Sequence, residues 1–286
     1  MITSSKLISR LFIFGFAALL AFSKTAFASY LTILATTTAT ASEESKTVSI
    51  HFSVQNDGDE NAKEVGISLP TVNQSRMLSA DMPPKGTATA DLTFTFEELG
   101  IKLGGTYIIP FHTTYKDANL FPFSSPQTIS VVLPPSPSKS VMVKFDSLES
   151  SQSLELAHEG SVDATIINVG TAAVEVSQVL AFSASELLAN TNDLTLPVTL
   201  QPQEEKKLRL TFKNTGALIG SGYASRVIVS GVSAGRHFSE SFNFVISIVS
   251  DKVNPQIVFK WIAISLAILS IVFWATKSLF LRTKTA

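Results

Sequence analysis

Apolar residues in the middle of this chain recur at every second position, in short runs punctuated by glycine, proline, asparagine and aspartate. Val48, Ile50, Phe52 and Val54 alternate with polar neighbours, as do Leu92, Phe94 and Phe96. Tyr107, Ile109 and Phe111 follow, with Thr113 and Tyr115 in the same phase. Further on come Val162, Ala164 and Ile166, then Leu208, Leu210 and Phe212, then Phe242, Phe244, Ile246 and Ile248. A period of two sends successive side chains to opposite faces, so each run predicts a strand with one buried face. Sustained helical spacing is absent between the two ends. EELGIKLGG (97–105) and SASELLAN (183–190) each have room for a short helical turn. The pattern predicts an all-β middle.

Both ends break the alternation. LFIFGFAALLAF (11–22) follows Lys6 and Arg10 and precedes the small-x-small triplet Ala26-Phe27-Ala28, so residues 1–28 read as an export signal. Its apolar core is too short to cross a bilayer as a helix. The run IVFKWIAISLAILSIVFWATKSLFL (257–281) is long enough, and residues 257–276 are expected to form a transmembrane helix. Lys260 sits near its edge, where the stem can snorkel, and Trp261 and Trp274 lie towards the two ends, where amphipathic rings favour the interface. Lys277, Arg282 and Lys284 give an acid-free basic tail (277–286), which orients the C-terminus to the cytoplasm. The intervening residues are then expected on the periplasmic or extracellular side of a cell membrane, with the lipid bilayer held through 257–276.

The middle repeats itself. PKGTATADLTF (84–94) and PQEEKKLRLTF (202–212) both open on proline and close on Leu-Thr-Phe. Upstream stand Asn56-Asp57-Gly58 and Asn168-Val169-Gly170, and downstream Gly105-Thr106-Tyr107 and Gly222-Tyr223. The order is the same and the offsets are 112, 118 and 116 residues, which points to an internal duplication. Asn-x-Gly reads as a tight turn tolerant of positive φ, the proline as a stiff entry to a strand, and the second glycine as the freedom for a turn before the Tyr strand. The tyrosine is expected to bury its ring while its hydroxyl finds a partner. LPPSPSKS (133–140) carries three prolines, so residues 134–140 read as a linker. Two units, 29–133 and 141–249, remain, each with room for about seven strands, the size of an immunoglobulin-like sandwich. A juxtamembrane linker, 250–256, completes the chain. The expected fold is all-β: two tandem immunoglobulin-like β-sandwiches plus one C-terminal transmembrane helix.

Composition narrows the function. A net charge of −1 gives no basic field, which argues against a nucleic-acid partner. The absence of cysteine removes disulfides, thiolate metal sites and cysteine nucleophiles, so core burial must stabilise each unit.

The order strand, Asn-x-Gly, strand, proline to Leu-Thr-Phe, glycine, Tyr strand resembles the Ig-like domains of bacterial and archaeal envelope proteins, of the CARDB and NPCBM-associated type. VQNDGDENAKEV (54–65), INVGTAAVEV (167–176) and LPVTLQPQEEKKLRLTF (196–212) carry the resemblance. It implies binding or spacer modules without catalysis. The first unit is also similar to the lumenal sandwich of the translocon-associated protein alpha subunit, through TTYKDANLF (113–121), although that protein has one such sandwich and an acidic stretch missing here. Periplasmic pilus chaperones share two sandwiches but have no membrane helix.

Candidate chemistry is sparse. Asp57, Asp59, Glu60 and Asn61 cluster in one turn as oxygen ligands for calcium, but without EF-hand spacing, and the matching turn at Asn168 has no acid. A solvated hairpin is the better reading, and no metal or other cofactor is expected. The four histidines, His51, His112, His158 and His237, are too far apart for a local zinc motif. Neither a Gly-x-Ser-x-Gly elbow nor a phosphate-binding glycine loop occurs, so no enzyme is expected. Aromatic residues around a polar turn in PFHTTYKDANLFPFSSP (110–126) read first as a core hairpin. Their alternative role is partner binding by Phe111, Tyr115, Lys116, Asp117, Phe121 and Phe123. The expected function is a non-catalytic, membrane-anchored binding or scaffold protein that presents two Ig-like domains to another envelope or membrane protein. The rivals are an envelope chaperone that captures extended strands and a carbohydrate-binding accessory protein; the latter is disfavoured because both tryptophans lie in the C-terminal apolar run.

Overall fold

Strands spaced at period two can bury their apolar faces only by stacking sheets, and this chain does so twice. The computed structural model describes residues 30–134, 140–145, 153–192 and 195–250. In the N-terminal half the strands are β1 (Ile33–Ser42), β2 (Thr47–Asn56), β3 (Ala62–Leu69), β4 (Gln74–Met82), β5 (Thr87–Thr95), β6 (Gly105–Lys116) and β7 (Pro122–Leu133). In the C-terminal half they are β8 (Val141–Phe145), β9 (Ser153–Leu156), β10 (Glu159–Asn168), β11 (Val174–Ser183), β12 (Leu187–Asn192), β13 (Val198–Leu200), β14 (Glu205–Asn214), β15 (Gly222–Ser233) and β16 (Arg236–Ile248). The described residues are all-β, with one turn of 3-10 helix among them at Pro70–Val72.

Sheet β1-β2-β5 faces β4-β3-β6-β7 across one core, and sheet β8-β10-β14-β12 faces β13-β11-β15-β16-β9 across another. Phe52 packs edge-on against Phe111 at 5.4 Å in the first core, and Phe212 against Phe244 at 5.5 Å in the second. The two larger sheets are continuous through one parallel bridge, His237 to Gly105.

The ladders of the halves run in matching register. Val48↔Phe94 is matched by Gly160↔Phe212, Ala62↔Met82 by Val174↔Leu200, and Gly66↔Thr114 by Gln178↔Ser230. The register shift between Lys63 and Gly66 in the β3–β6 ladder has its counterpart between Val176 and Gln178 in the β11–β15 ladder. Two segments depart. β1 stays on β2 for its whole length, whereas in the second half β8 pairs with β10 and β9 pairs in parallel with β16. β4 stays on β3 for its whole length, whereas in the second half β12 crosses to pair with β14 and only β13 pairs with β11.

Two asparagines close these cores. Asn56 and Asn168 are fully buried. Asn56 Nδ2 donates to the carbonyls of Glu60 (2.7 Å) and Met82 (3.0 Å), and its Oδ1 accepts the Gly58 N–H. Asn168 Nδ2 donates to Ala172 (2.9 Å) and Leu200 (2.9 Å), and its Oδ1 accepts the Gly170 N–H. The backbone carbonyl of each accepts one more bond, from Lys85 N and Gln203 N. This corrects the expected role of Asn-x-Gly: Gly58 and Gly170 are not at positive φ, and the left-handed residues are Lys85 (63°) and Gln203 (66°) beyond the proline. The asparagine is a buried clamp between two strands. Gly58 is required by crowding, since a Cβ would stand 2.5 Å from the Tyr30 carbonyl. The tyrosines behave as expected. Tyr107 Oη accepts from Lys102 N and Leu103 N and donates to the Leu103 carbonyl, and Tyr223 Oη accepts from Leu218 N.

SASELLAN holds no helical turn; from Leu187 it is the crossing strand β12. EELGIKLGG is a reverse turn in which Leu99 N bonds to Thr95 O and Ile101 N to Phe96 O. Among the described residues no helix is long and apolar enough to cross a membrane. The export signal 1–28, the membrane span 257–276, the basic tail and most of both linkers lie outside the described residues.

A buried amide with three bonds is costly to remove. Asn56→Ala or Asn168→Ala is expected to destabilise its half by about 2–4 kcal/mol, while the exposed Asn61→Ala changes stability by under ~0.5 kcal/mol. Urea unfolding midpoints check this.

Candidate functional site at the junction of the two cores

The face of β6 opposite the first core carries Ile108, Pro110 and His112, and it meets the second half. At one end of this contact Gly105 comes so close to β16 that a Cβ would lie 2.0 Å from the His237 carbonyl oxygen. Gly105 has φ of 142°, and its neighbour Gly104 accepts the His237 N–H at 3.0 Å. In the first copy the second glycine is therefore needed for strand contact, whereas Gly222 in the second copy meets only the Val245 side chain at ordinary distance. The His237 ring stacks on Tyr107 with centroids 3.9 Å apart and planes 8° apart.

At the other end the loop between β11 and β12 enters the first half. Glu186 is buried; its carboxylate accepts Ser124 N (2.9 Å) and Ser124 Oγ (3.0 Å) from β7. Ser185 N donates to Ser124 Oγ at 2.6 Å. Beside it His112 Nε2 hydrogen-bonds the Ser183 carbonyl (2.8 Å), with its ring 4.3 Å from that of Phe182. Arg226 Nε donates to the Pro126 carbonyl, a further bond across the junction. A carboxylate placed in such low-dielectric surroundings is stabilised by its donors and would be costly to leave unpaired.

The proposed partner-binding residues fall into different environments. Phe111 is fully buried in the first core and unavailable to a partner, because its phase on β6 points it between the sheets. Tyr115 and Phe123 stack at 5.6 Å, and Phe121 meets Phe123 edge-on at 5.1 Å, all half-buried. Burial, with smaller contributions from Glu186 and Tyr223, pushes the Tyr115 hydroxyl up to about 12. Lys116 pairs with Glu64 at 2.6 Å, and Asp117 Oδ1 accepts the Phe121 N–H, closing the hairpin turn. The aromatic group is thus a support for the hairpin that meets the second half.

Sequence reasoning missed Glu186, Ser124 and His112 as a cluster at one end of the junction and His237 at the other. No spacing signals them, because residues 62 apart in the chain meet only through the stacking of the two halves. His51 and Asp91 were also missed as a pair; their 2.7 Å contact follows from the β2–β5 register and lies exposed on an outer face. The acids of the candidate calcium turn point to separate protein partners: Asp57 to Lys85, Asp59 to Tyr30 N and Glu60 to Ala118 N. Among the described residues no group of three or more ligating side chains is assembled for a metal ion.

A cleft of about 230 Å³ lies along the junction, bounded by Tyr107, Pro110, Gln178, Leu180, Ser230 and His237. Ser230 Oγ and Ser239 Oγ are hydrogen-bonded at 2.7 Å beneath it. A second cleft, about 390 Å³, is lined by Lys46, Phe96, Lys102 and Arg236.

No family model and no curated protein matches this chain. Solved structures show distant likenesses. A protein of unknown function from Porphyromonas gingivalis W83 is 11% identical, with a TM-score of 0.31 over 75% of this chain and 99% of that one. The secreted serine protease VesC from Vibrio cholerae is 6% identical, with a TM-score of 0.28 over 66% of this chain and 46% of its own. Red sea bream transglutaminase is 10% identical, with a TM-score of 0.25 over 76% of this chain and 31% of that enzyme. Likenesses this distant carry no argument about what the chain does.

Burial lowers the pKa of both junction histidines, His112 against the weaker raising influence of the Ser183 carbonyl and Glu186, and His237 through burial alone. The docked state therefore favours neutral rings. Its stability is complete above the free imidazole value of about 6.5 and is lost as the pH falls below it. The protection factor of the His237 amide, its exchange referred to the intrinsic rate at each pH, is expected to fall as the pH drops from 7.5 to 5, and the response to flatten in His112→Gln/His237→Phe, which keeps an aromatic ring over Tyr107.

Proposed function

We propose that this protein is a non-catalytic, membrane-anchored extracytoplasmic scaffold presenting two tandem immunoglobulin-like domains to a protein partner. The matched ladder registers of the two halves, down to the register shift and the asparagine clamp, carry this reading and support an origin by duplication. In the first half β1-β2-β5 facing β4-β3-β6-β7 is an arrangement compatible with the immunoglobulin-like class. The apolar terminal segments support export and anchoring by residues 257–276.

The junction supports a scaffold in a second way. Direct bonds from Glu186, His112 and Arg226 hold the halves in one orientation, so surfaces on both are presented together. Inter-domain contacts without such bonds ordinarily permit relative motion. The His51–Asp91 pair stands on an open outer face, whereas catalytic groups ordinarily work in a concave, water-excluding site, which favours binding over chemistry.

Crosslinking in the native membrane, followed by identification of captured proteins, tests the reading. A specific partner, recovered through both halves and lost when residues 257–286 are replaced by a soluble tail, is the expected result. Recovery of this protein alone would contradict it.

A further inference from the structure

The two halves differ at the edge formed by β5 in one and β14 in the other. In the C-terminal half β14 is covered by β12 in antiparallel register, from Leu187↔Asn214 to Asn192↔Arg209. In the N-terminal half the matching strand β5 has β2 on one side and, among the described residues, no strand on the other. Asp91–Thr95 there corresponds to Arg209–Lys213.

The direction of the β5 backbone groups follows from its ladder. Gly86 O accepts Asn56 N, and Lys46 O accepts Phe96 N, so the even-numbered residues between them bond to β2. Thr89, Asp91 and Thr93 turn their N–H and C=O groups to the open side, and all three are exposed. The far end of the edge is closed, because Glu98 Oε2 accepts Thr95 N at 2.7 Å. One open carbonyl is occupied: Arg76 on β4 donates through Nη1 to Asp91 O at 3.3 Å.

Exposed edges are ordinarily blunted by lysine, proline or a bulge. Thr87–Thr95, TATADLTFT, contains no lysine or proline, and its register with β2 is unbroken. We propose that this edge accepts an extended segment of another protein as an antiparallel fourth strand beside β5. The inference rests on the partner-binding role proposed above and gives that partner its chemistry. β12 is the template: Leu187 turns into the core, Ala189 and Thr191 are half-buried, and Leu188 and Asn190 face solvent. The ligand is thus a strand with apolar or small residues on one face, polar residues on the other, and free N–H groups where it pairs. A second copy fits less well, because β5 already spends Phe94 and Ala90 on its own core, and a two-fold pairing centred on Asp91 would set two carboxylates opposite each other. Arg76 acts as a plug that the incoming strand displaces.

The test uses a labelled peptide of residues 186–192, ELLANTN, titrated by fluorescence anisotropy against the full chain in detergent micelles. Thr93→Pro removes one edge donor and the exposed Ser49–Thr93 hydroxyl contact but no backbone bond of the β2 ladder, and Thr93→Val, which loses only that hydroxyl contact, is the matched control; a melting temperature equal to that of Thr93→Val checks folding. Wild type is expected to bind the peptide, Arg76→Ala more tightly, and Thr93→Pro at least about tenfold more weakly, or ~1.4 kcal/mol. A peptide N-methylated at Asn190, the position facing Thr93, should fail, while one N-methylated at Ala189 should still bind. Equal binding by wild type and Thr93→Pro, or none by wild type and Arg76→Ala, would overturn the proposal. Self-association abolished by Thr93→Pro, in place of peptide binding, would overturn it too and give the edge to a second copy. Failure here with a partner still captured in the membrane would remove the strand-accepting edge and leave the scaffold reading standing.

Discussion

The arrangement of the two halves depends on one close approach: the backbone of Gly105 against that of His237. Nothing larger than hydrogen fits there. The contact makes two sheets continuous, seats the His237 ring on Tyr107 and brings the far end of β6 to the loop carrying Glu186. A chain without cysteine has no covalent means of fixing this geometry. Packing and buried hydrogen bonds hold it instead, with the Glu186 side chain and two imidazoles, whose burial favours the neutral form, at the seam.

Much of the interior was legible from alternation alone. Val48, Ile50, Phe52, Phe94, Leu210 and Phe212 all lie in the cores because strand geometry leaves an alternating apolar residue only one face to bury. The echoed phrase was legible as well, but its parts were misread. Asn56 and Asn168 looked like turn residues, and only their complete burial shows that they bridge strands. β12 could not be read, since Leu187 and Leu188 are adjacent apolar residues with no phase, and its change of sheet depends on pairing with β14.

The candidate site was the least legible part. Phe111 and its neighbours drew notice as aromatic side chains near a turn, yet Phe111 belongs to the core and the other aromatic rings stack on one another within the β6–β7 hairpin. Glu186 and Ser124 carry no motif; their meaning comes from a neighbour supplied by the fold. The contrast between β5 and β14 emerges the same way, from two similar halves of which only one has its edge covered.

Because the chain has no native thiol, single cysteines placed at Thr38 and Lys207, exposed on opposite halves, accept spin labels without competition. The distance distribution between them tests the junction most directly. One narrow population is predicted for Thr38→Cys/Lys207→Cys, broadening when Gly105→Val is added. A broad distribution before that substitution, or no change after it, would contradict a junction that locks the two halves together.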